Sequence, residues 1–172
     1  MGKSTVAWEV FQRLQREGRV AAFIDLEQIG FVGTTARTAG VRDVRVSTVG
    51  AMARVFAASG ATVLVLSGAI AGPEEEAAYS AALAPADLTV VRLEAGEASV
   101  RDRVAHRAVQ RILHLPGDDL RGLSAEAQHE VVQRSTREAA DLAAAGVGHP
   151  IGTDGRSVEQ IAEVALALVR WA

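Results

Sequence analysis

Gly2, Lys3, Ser4 and Thr5 stand together at the start of the chain. Glycine lets backbone N–H groups come close to a ligand, lysine carries a mobile cation, and a hydroxyl can face a metal ion. In the order Gly-Lys-Ser-Thr, directly before a helix, these residue types suit a phosphate chain with magnesium. The spacing matches the second half of the phosphate-loop signature G-x-x-x-x-G-K-[ST]. A helix N-terminus behind the loop adds partial positive charge, which favours anions. The competing reading of the same residues is an ordinary helix start capped by a serine.

The elements that must position this group follow from hydrophobic spacing. Val6, Ala7, Val10, Phe11 and Leu14 form one helical stripe over Ser4 to Glu17, and Gly18 ends it. Val20 to Asp25 is a short apolar run closed by an acid, as expected of a buried parallel strand. Residues 28 to 46 are polar and contain glycine, which predicts a long loop with at most a short helix. A helix is expected over Thr48 to Ser59, stopped by Gly60, then a strand over Thr62 to Leu66 leading into Ser67. Pro73 opens a helix with Glu74, Glu75 and Glu76 in its first turn, where the helix dipole favours them.

Further on, a strand over Leu88 to Leu93 leads to an arginine-rich helix from Glu97 to about Leu113. His114 to Leu123 has turn chemistry, and a long helix runs from Ser124 to about Ala145. Pro150-Ile151 is a short strand, and Thr153 to Arg156 a loop. Ser157 and Gln160 form a capping box for a last helix that ends near Trp171. Alternating strands and helices predict an α/β fold with a mostly parallel sheet. No linker, internal repeat or low-complexity segment breaks the chain.

A length of 172 residues suits one domain, and 49% apolar with 23% charged residues is ordinary for a globular protein. The net charge of -3 argues against a general nucleic-acid or membrane-surface binder. The absence of cysteine excludes disulfides, thiolate metal sites and cysteine nucleophiles, and fits a reducing cytoplasm. The four histidines show no metal-ligand spacing, and no Ser-His-Asp arrangement can be read from the order of residues.

The pieces GKSTVAWEVFQRL, FIDLEQIG, VLVLSG, VRDRVAHR and TDGRSVEQIA are spread over nearly the whole chain. In that order they resemble the P-loop small-molecule kinases, the adenylylsulfate, gluconate and shikimate kinase class. The resemblance implies a three-layer P-loop NTPase fold in a single domain over residues 1–172. It implies ATP and Mg2+ as cofactors and a small metabolite as phosphoryl acceptor. Gly2, Lys3, Ser4 and Thr5 would hold the phosphates, with Ser4 toward magnesium. Asp25 matches the acid beside the phosphate loop, a general base or metal-water ligand, and Glu27 lies two residues on. Ser67 stands where the second Walker motif often has Asp, which argues against a motor-type ATPase.

Arg103 and Arg107 lie four apart on one helix face, with Arg111 a turn further. They match the lid arginines of the class, which clamp a transferring phosphoryl group. The lid region would span about residues 101–123, its tip at Pro116 to Gly122. Thr153, Asp154, Gly155 and Arg156 match a loop that passes near adenine. Arg37, Arg42 and Arg45 could meet an anionic group of the acceptor. The plainer reading of all these arginines is a solvated basic surface.

In this fold the first strand is central. It and the front of the loop have no counterpart before Gly2, and would need roughly 10–15 further residues. A gap or a borrowed strand is therefore expected between the pair 20–25 with 62–66 and the later strands, 88–93 and 150–151. Their open edges would invite self-association. The alternatives to a kinase are a nucleotide-dependent binding or regulatory module without turnover, and an N-terminally truncated fragment without activity.

Overall fold

The computed structural model describes residues 2–29, 39–109, 120–169 and 171. It is a mixed α/β fold with short parallel sheets. In chain order the elements are α1 (Lys3–Arg16), β1 (Ala21–Asp25), a one-turn 3-10 helix (Leu26–Gln28), α2 (Ala39–Ala58), β2 (Val63–Ser67) and α3 (Pro73–Leu83). Then come β3 (Val91–Glu94), α4 (Glu97–Val109), α5 (Ala125–Ala144), β4 (His149–Gly152) and α6 (Val158–Leu168).

The strands form two separate parallel pairs. β1 pairs with β2, Ala21 opposite Val63 and Asp25 opposite Ser67. β3 pairs with β4, Val91 opposite His149 and Glu94 opposite Gly152. No hydrogen-bonded ladder joins the two pairs among the described residues. The β1–β2 pair and its separation from the later strands agree with expectation, and the pairing of β3 with β4 is added by the structure.

Helix α1 spans both pairs. Its Val6 and Val10 pack with Val91 of β3, Ile151 of β4, and Ile161 and Ala165 of α6. On its next face Trp8 and Phe11 stack around Phe23 of β1, ring centroids 5.1–5.8 Å apart. A second core joins Ile24, Leu26, Val49 and Tyr79, with Val46, Leu64 and Leu66 against it. This core seats α2 and α3 on the β1–β2 pair. β1 alternates its burial, with Ala22 and Ile24 buried, as a strand packed on one face does.

Several local signals act as read. Gly18 and Gly60 follow their helices with φ of 77° and 92°. Pro73 sits in the first turn of α3 with its three glutamates, and Ser157 and Gln160 cap α6 reciprocally. Helix α2 departs from expectation: it begins at Ala39, not near Thr48. Val46 explains part of the extension, because it packs against the second core and pulls this stretch into helix. The last helix ends at Leu168, short of Trp171. No helix among the described residues is long and apolar enough to cross a membrane.

Candidate functional site

Gly2 starts the site. Its φ of 96° is a left-handed conformation that glycine adopts freely, and it turns the chain directly into α1. Gly2 has no side chain to cap the helix, so the first-turn N–H groups are left without a side-chain acceptor. The first helical bond runs from Val6 N to Gly2 O at 3.0 Å. Arg103 Nη1 lies 3.9 Å from where a Cβ on Gly2 would stand, so a guanidinium faces the same corner.

The strand ends meet this helix terminus from both sides. Ser67, the last residue of β2 and 2% exposed, donates its hydroxyl hydrogen to Ser4 Oγ at 3.1 Å. Gly68 lets Leu26, which follows β1, pack closely against the chain after β2, because a Cβ there would fall 2.7 Å from Leu26 Cβ. Asp25, the last residue of β1, accepts Glu27 N through Oδ1 at 2.9 Å, an Asx-type cap of the 3-10 turn. That turn presents Glu27, whose Oε1 is 3.2 Å from Lys3 Nζ. Both partners are partly exposed, so the ion pair is weak and easily exchanged for another anion.

The β3–β4 side contributes the loop after β4. Thr153 is buried, and its Oγ1 accepts a hydrogen bond from Arg103 Nη2 at 3.1 Å. Asp154 Oδ2 accepts Gly96 N at 2.7 Å, tying the loop to the N-terminus of α4. The Ser99 hydroxyl, the Gly96 amide and the Arg103 charge hold the Asp154 carboxyl below its ordinary pKa. Gly155 turns the loop with φ of 70°. Gly155 and Arg156 line an open depression of about 480 Å³ that continues along α6 to Gln160 and Glu163.

Lys3, Ser4, Asp25, Glu27, Ser67, Arg103, Thr153 and Asp154 are thus linked around one end of α1. Thr5 is exposed within the first turn of α1. Arg107 lies one turn beyond Arg103 on α4 and is exposed. Arg42 is on α2, where it pairs with Asp43 at 3.4 Å and Glu74 at 3.8 Å. Arg45 is half-buried on the same helix. Arg37, Arg111 and most of the expected lid tip lie outside the described residues.

Ser99 and Tyr79 were not picked out by sequence reasoning. Ser99 follows Glu97 in an unremarkable helix start. Tyr79 is the single tyrosine of the chain, which is a signal of sorts, but its helix reads as ordinary packing. No group of three or more metal-ligating side chains occurs among the described residues. A second open depression, about 430 Å³ and lined by Trp8, Phe11, Val20, Phe23 and Phe56, is apolar and lies at the opposite end of β1. Its lining carries no group suited to phosphate.

Comparison of the chain with protein-family models, curated proteins and solved structures finds no match.

Proposed function

We propose that the chain binds ATP with magnesium at the N-terminal end of α1 and transfers the terminal phosphoryl group to a small metabolite. The observation that carries this reading is the convergence on Gly2 and Ser4. Ser67 arrives from β2, the Lys3–Glu27 pair from the end of β1, and Arg103 with Thr153 from the β3–β4 side.

The residues present fit the group. The uncapped first turn of α1 offers N–H donors and dipole charge to phosphate oxygens. Lys3 reaches the same space on a mobile stem and exchanges Glu27 for phosphate. Ser4 accepts from Ser67, so its own hydrogen and a remaining lone pair point away from β2, where magnesium would be held. The nucleotide supplies the group to be transferred. Arg103 and Arg107 neutralise the charge that spreads over that group, while Thr153 holds the Arg103 guanidinium in place.

Asp25 and Glu27 divide the acid chemistry. One oxygen of Asp25 is spent on the turn, which leaves the other to orient an acceptor hydroxyl or a metal-bound water. Glu27, once released by Lys3, is a second carboxylate within the same turn. Thr153 to Arg156, with the depression beside Gly155, form the surface offered to adenine.

The finer fold belongs to the same proposal. The two strand pairs would be parts of a three-layer P-loop sheet. α1 lies across both pairs, as the helix after a phosphate loop would. Open inner edges are the surfaces through which copies of the chain would associate, and sedimentation over a concentration series tests that.

Titration calorimetry with ATP and magnesium tests the binding. Lys3→Ala should weaken it by roughly tenfold or more, the worth of a charged hydrogen bond. Equal affinity in both proteins rejects the assignment. A nucleotide-dependent module without turnover is the second reading. It is favoured by Ser67 in place of a carboxylate at the end of β2, and ADP release over a metabolite panel separates the two.

A further inference from the structure

Among the described residues β1 pairs with β2 and with no other strand, so one of its edges is open. Thr62 N donates to Val20 O at 2.8 Å, which turns the Val20 backbone groups toward β2. Backbone groups alternate sides along a strand, so those of Ala22 and Ile24 face β2 as well. The N–H and C=O groups of Ala21 and Phe23 therefore point the other way, onto the open edge.

The apolar depression beside β1 follows that edge. Four successive residues, Val20 to Phe23, line it, and no residue of β2 does. Successive strand side chains point to opposite faces, so a depression that touches all four wraps the side of the strand. Trp8 and Phe11 of α1 wall it on one face, Phe56 and Ser59 of α2 on the other. Trp8 is 47% exposed and Val20 55%. Val44, Ala51 and Val55 extend the apolar surface as an exposed stripe of α2, and Ser59 follows one turn on. Four of the seven aromatic residues of the chain gather here, as they do at contact surfaces.

The sequence around Ala22 complements its own reverse. Antiparallel pairing about a two-fold axis at Ala22 sets Ala21 opposite Phe23, Val20 opposite Ile24 and Arg19 opposite Asp25. Small meets large, apolar meets apolar, and cation meets anion, each pair occurring twice. The backbone allows this register, because Ala21 and Phe23, whose groups face the edge, become the hydrogen-bonded pairs on either side of the axis. Proteins that keep such an edge unpaired blunt it with a proline, a central charge or a bulge. β1 has none of these: it reads Ala-Ala-Phe-Ile-Asp, its register with β2 is unbroken, and its charge waits until Asp25.

We propose that two copies of the chain join edge to edge through β1, antiparallel about Ala22, into one four-stranded sheet with β1 of each copy at its centre. The contact is independent of the kinase reading, and it uses the side of β1 away from β2 rather than the edges between the two strand pairs.

The test is amide exchange of the full chain, labelled with nitrogen-15, from micromolar to millimolar concentration beside sedimentation. As the dimer fills, the Ala21 and Phe23 amides should slow by about tenfold or more, and those of Ala22 and Ile24, already bonded to β2, should change less. The chain has no cysteine, so Ala22→Cys carries a single thiol. Cα atoms directly opposite at a non-bonded antiparallel pair stand about 4.5 Å apart, within disulfide reach. Mild oxidation should link that variant into dimers, and should leave Val109→Cys, an exposed position on α4, largely unlinked. Arg19→Glu sets like charges opposite each other twice and should weaken the dimer by about tenfold. A chain that stays monomeric at millimolar concentration overturns the proposal. So does a dimer in which Ala21 and Phe23 exchange as in the monomer, which would be joined elsewhere. Equal cross-linking of the two cysteine variants, or an undiminished Arg19→Glu dimer, overturns the register and the proposal with it.

Discussion

Ser67 and Ser4 share a hydrogen bond of 3.1 Å across 63 residues of sequence, with Ser67 donating. The bond fixes the direction of the Ser4 hydroxyl at the first turn of α1. Ser67→Ala should therefore loosen the magnesium dependence of ATP binding more than it lowers stability. A lost neutral hydrogen bond costs about 0.5–1.5 kcal/mol. The check is a magnesium titration at fixed ATP beside a denaturant melt. An unchanged magnesium midpoint would leave Ser67 as a packing residue.

Asp25 and Glu27 should separate kinetically. Asp25→Asn keeps a cap acceptor for Glu27 N but removes the charge, so turnover should fall far more than ATP affinity. Glu27→Gln should leave melting within about 1 kcal/mol of the parent, since an exposed ion pair contributes little. It should also leave Lys3 freer for phosphate. ADP release and calorimetry on both variants decide; full turnover in Asp25→Asn makes that residue structural.

Asp154 gives a pH signature at the acid end. Its folded pKa lies below the ordinary value because Ser99, Gly96 and Arg103 favour the charged form. The tie between the loop after β4 and α4 is thus complete above the unfolded aspartate value of about 3.9 and lost as pH falls through the lower folded value. The Gly96 amide resonance should report that titration, and Asp154→Asn should abolish it.

Tyr79 acts at the other end of the scale. Its folded pKa is raised from 10.0 to about 12, first by burial and then by Glu75. The neutral phenol therefore stabilises the fold fully below pH 10, and that contribution is lost as pH rises from about 10 to about 12. Absorbance of the tyrosinate band, followed with a melt at each pH, should show ionisation displaced from a free tyrosine. Tyr79→Phe should flatten the stability loss in that window.

Much of the frame was legible because its signals are local. The stripe of α1, the stops at Gly18 and Gly60, Pro73 and the Ser157–Gln160 box all involve residues within a few turns. The start of α2 was not, because Gly40, Val41, Val44 and Val46 are poor helix formers by propensity. Val46 gains its helical state from packing beside Leu26 and Tyr79. The candidate site divides in the same way. Gly2, Lys3 and Ser4 could be read from the motif they form. The Arg103–Thr153 and Asp154–Gly96 bonds join residues 50 and 58 apart, and nothing short of the strand order brings them together. Ser67 was read as a missing carboxylate and turns out to be the partner of Ser4.

The split between the two strand pairs has a thermodynamic consequence. Each pair has its own core, one around Ile24 and Tyr79, the other around Ile151 and Ile161; α1 belongs to the second through Val6 and Val10 and meets β1 only through Trp8 and Phe11 against Phe23. Two separate cores should open as two cooperative units, so amide exchange in β1–β2 and β3–β4 should give two distinct protection levels. A nucleotide held at the tip of α1 would touch groups fixed to both units at once. Its binding energy would then appear chiefly as coupling, drawing the two exchange levels together into one.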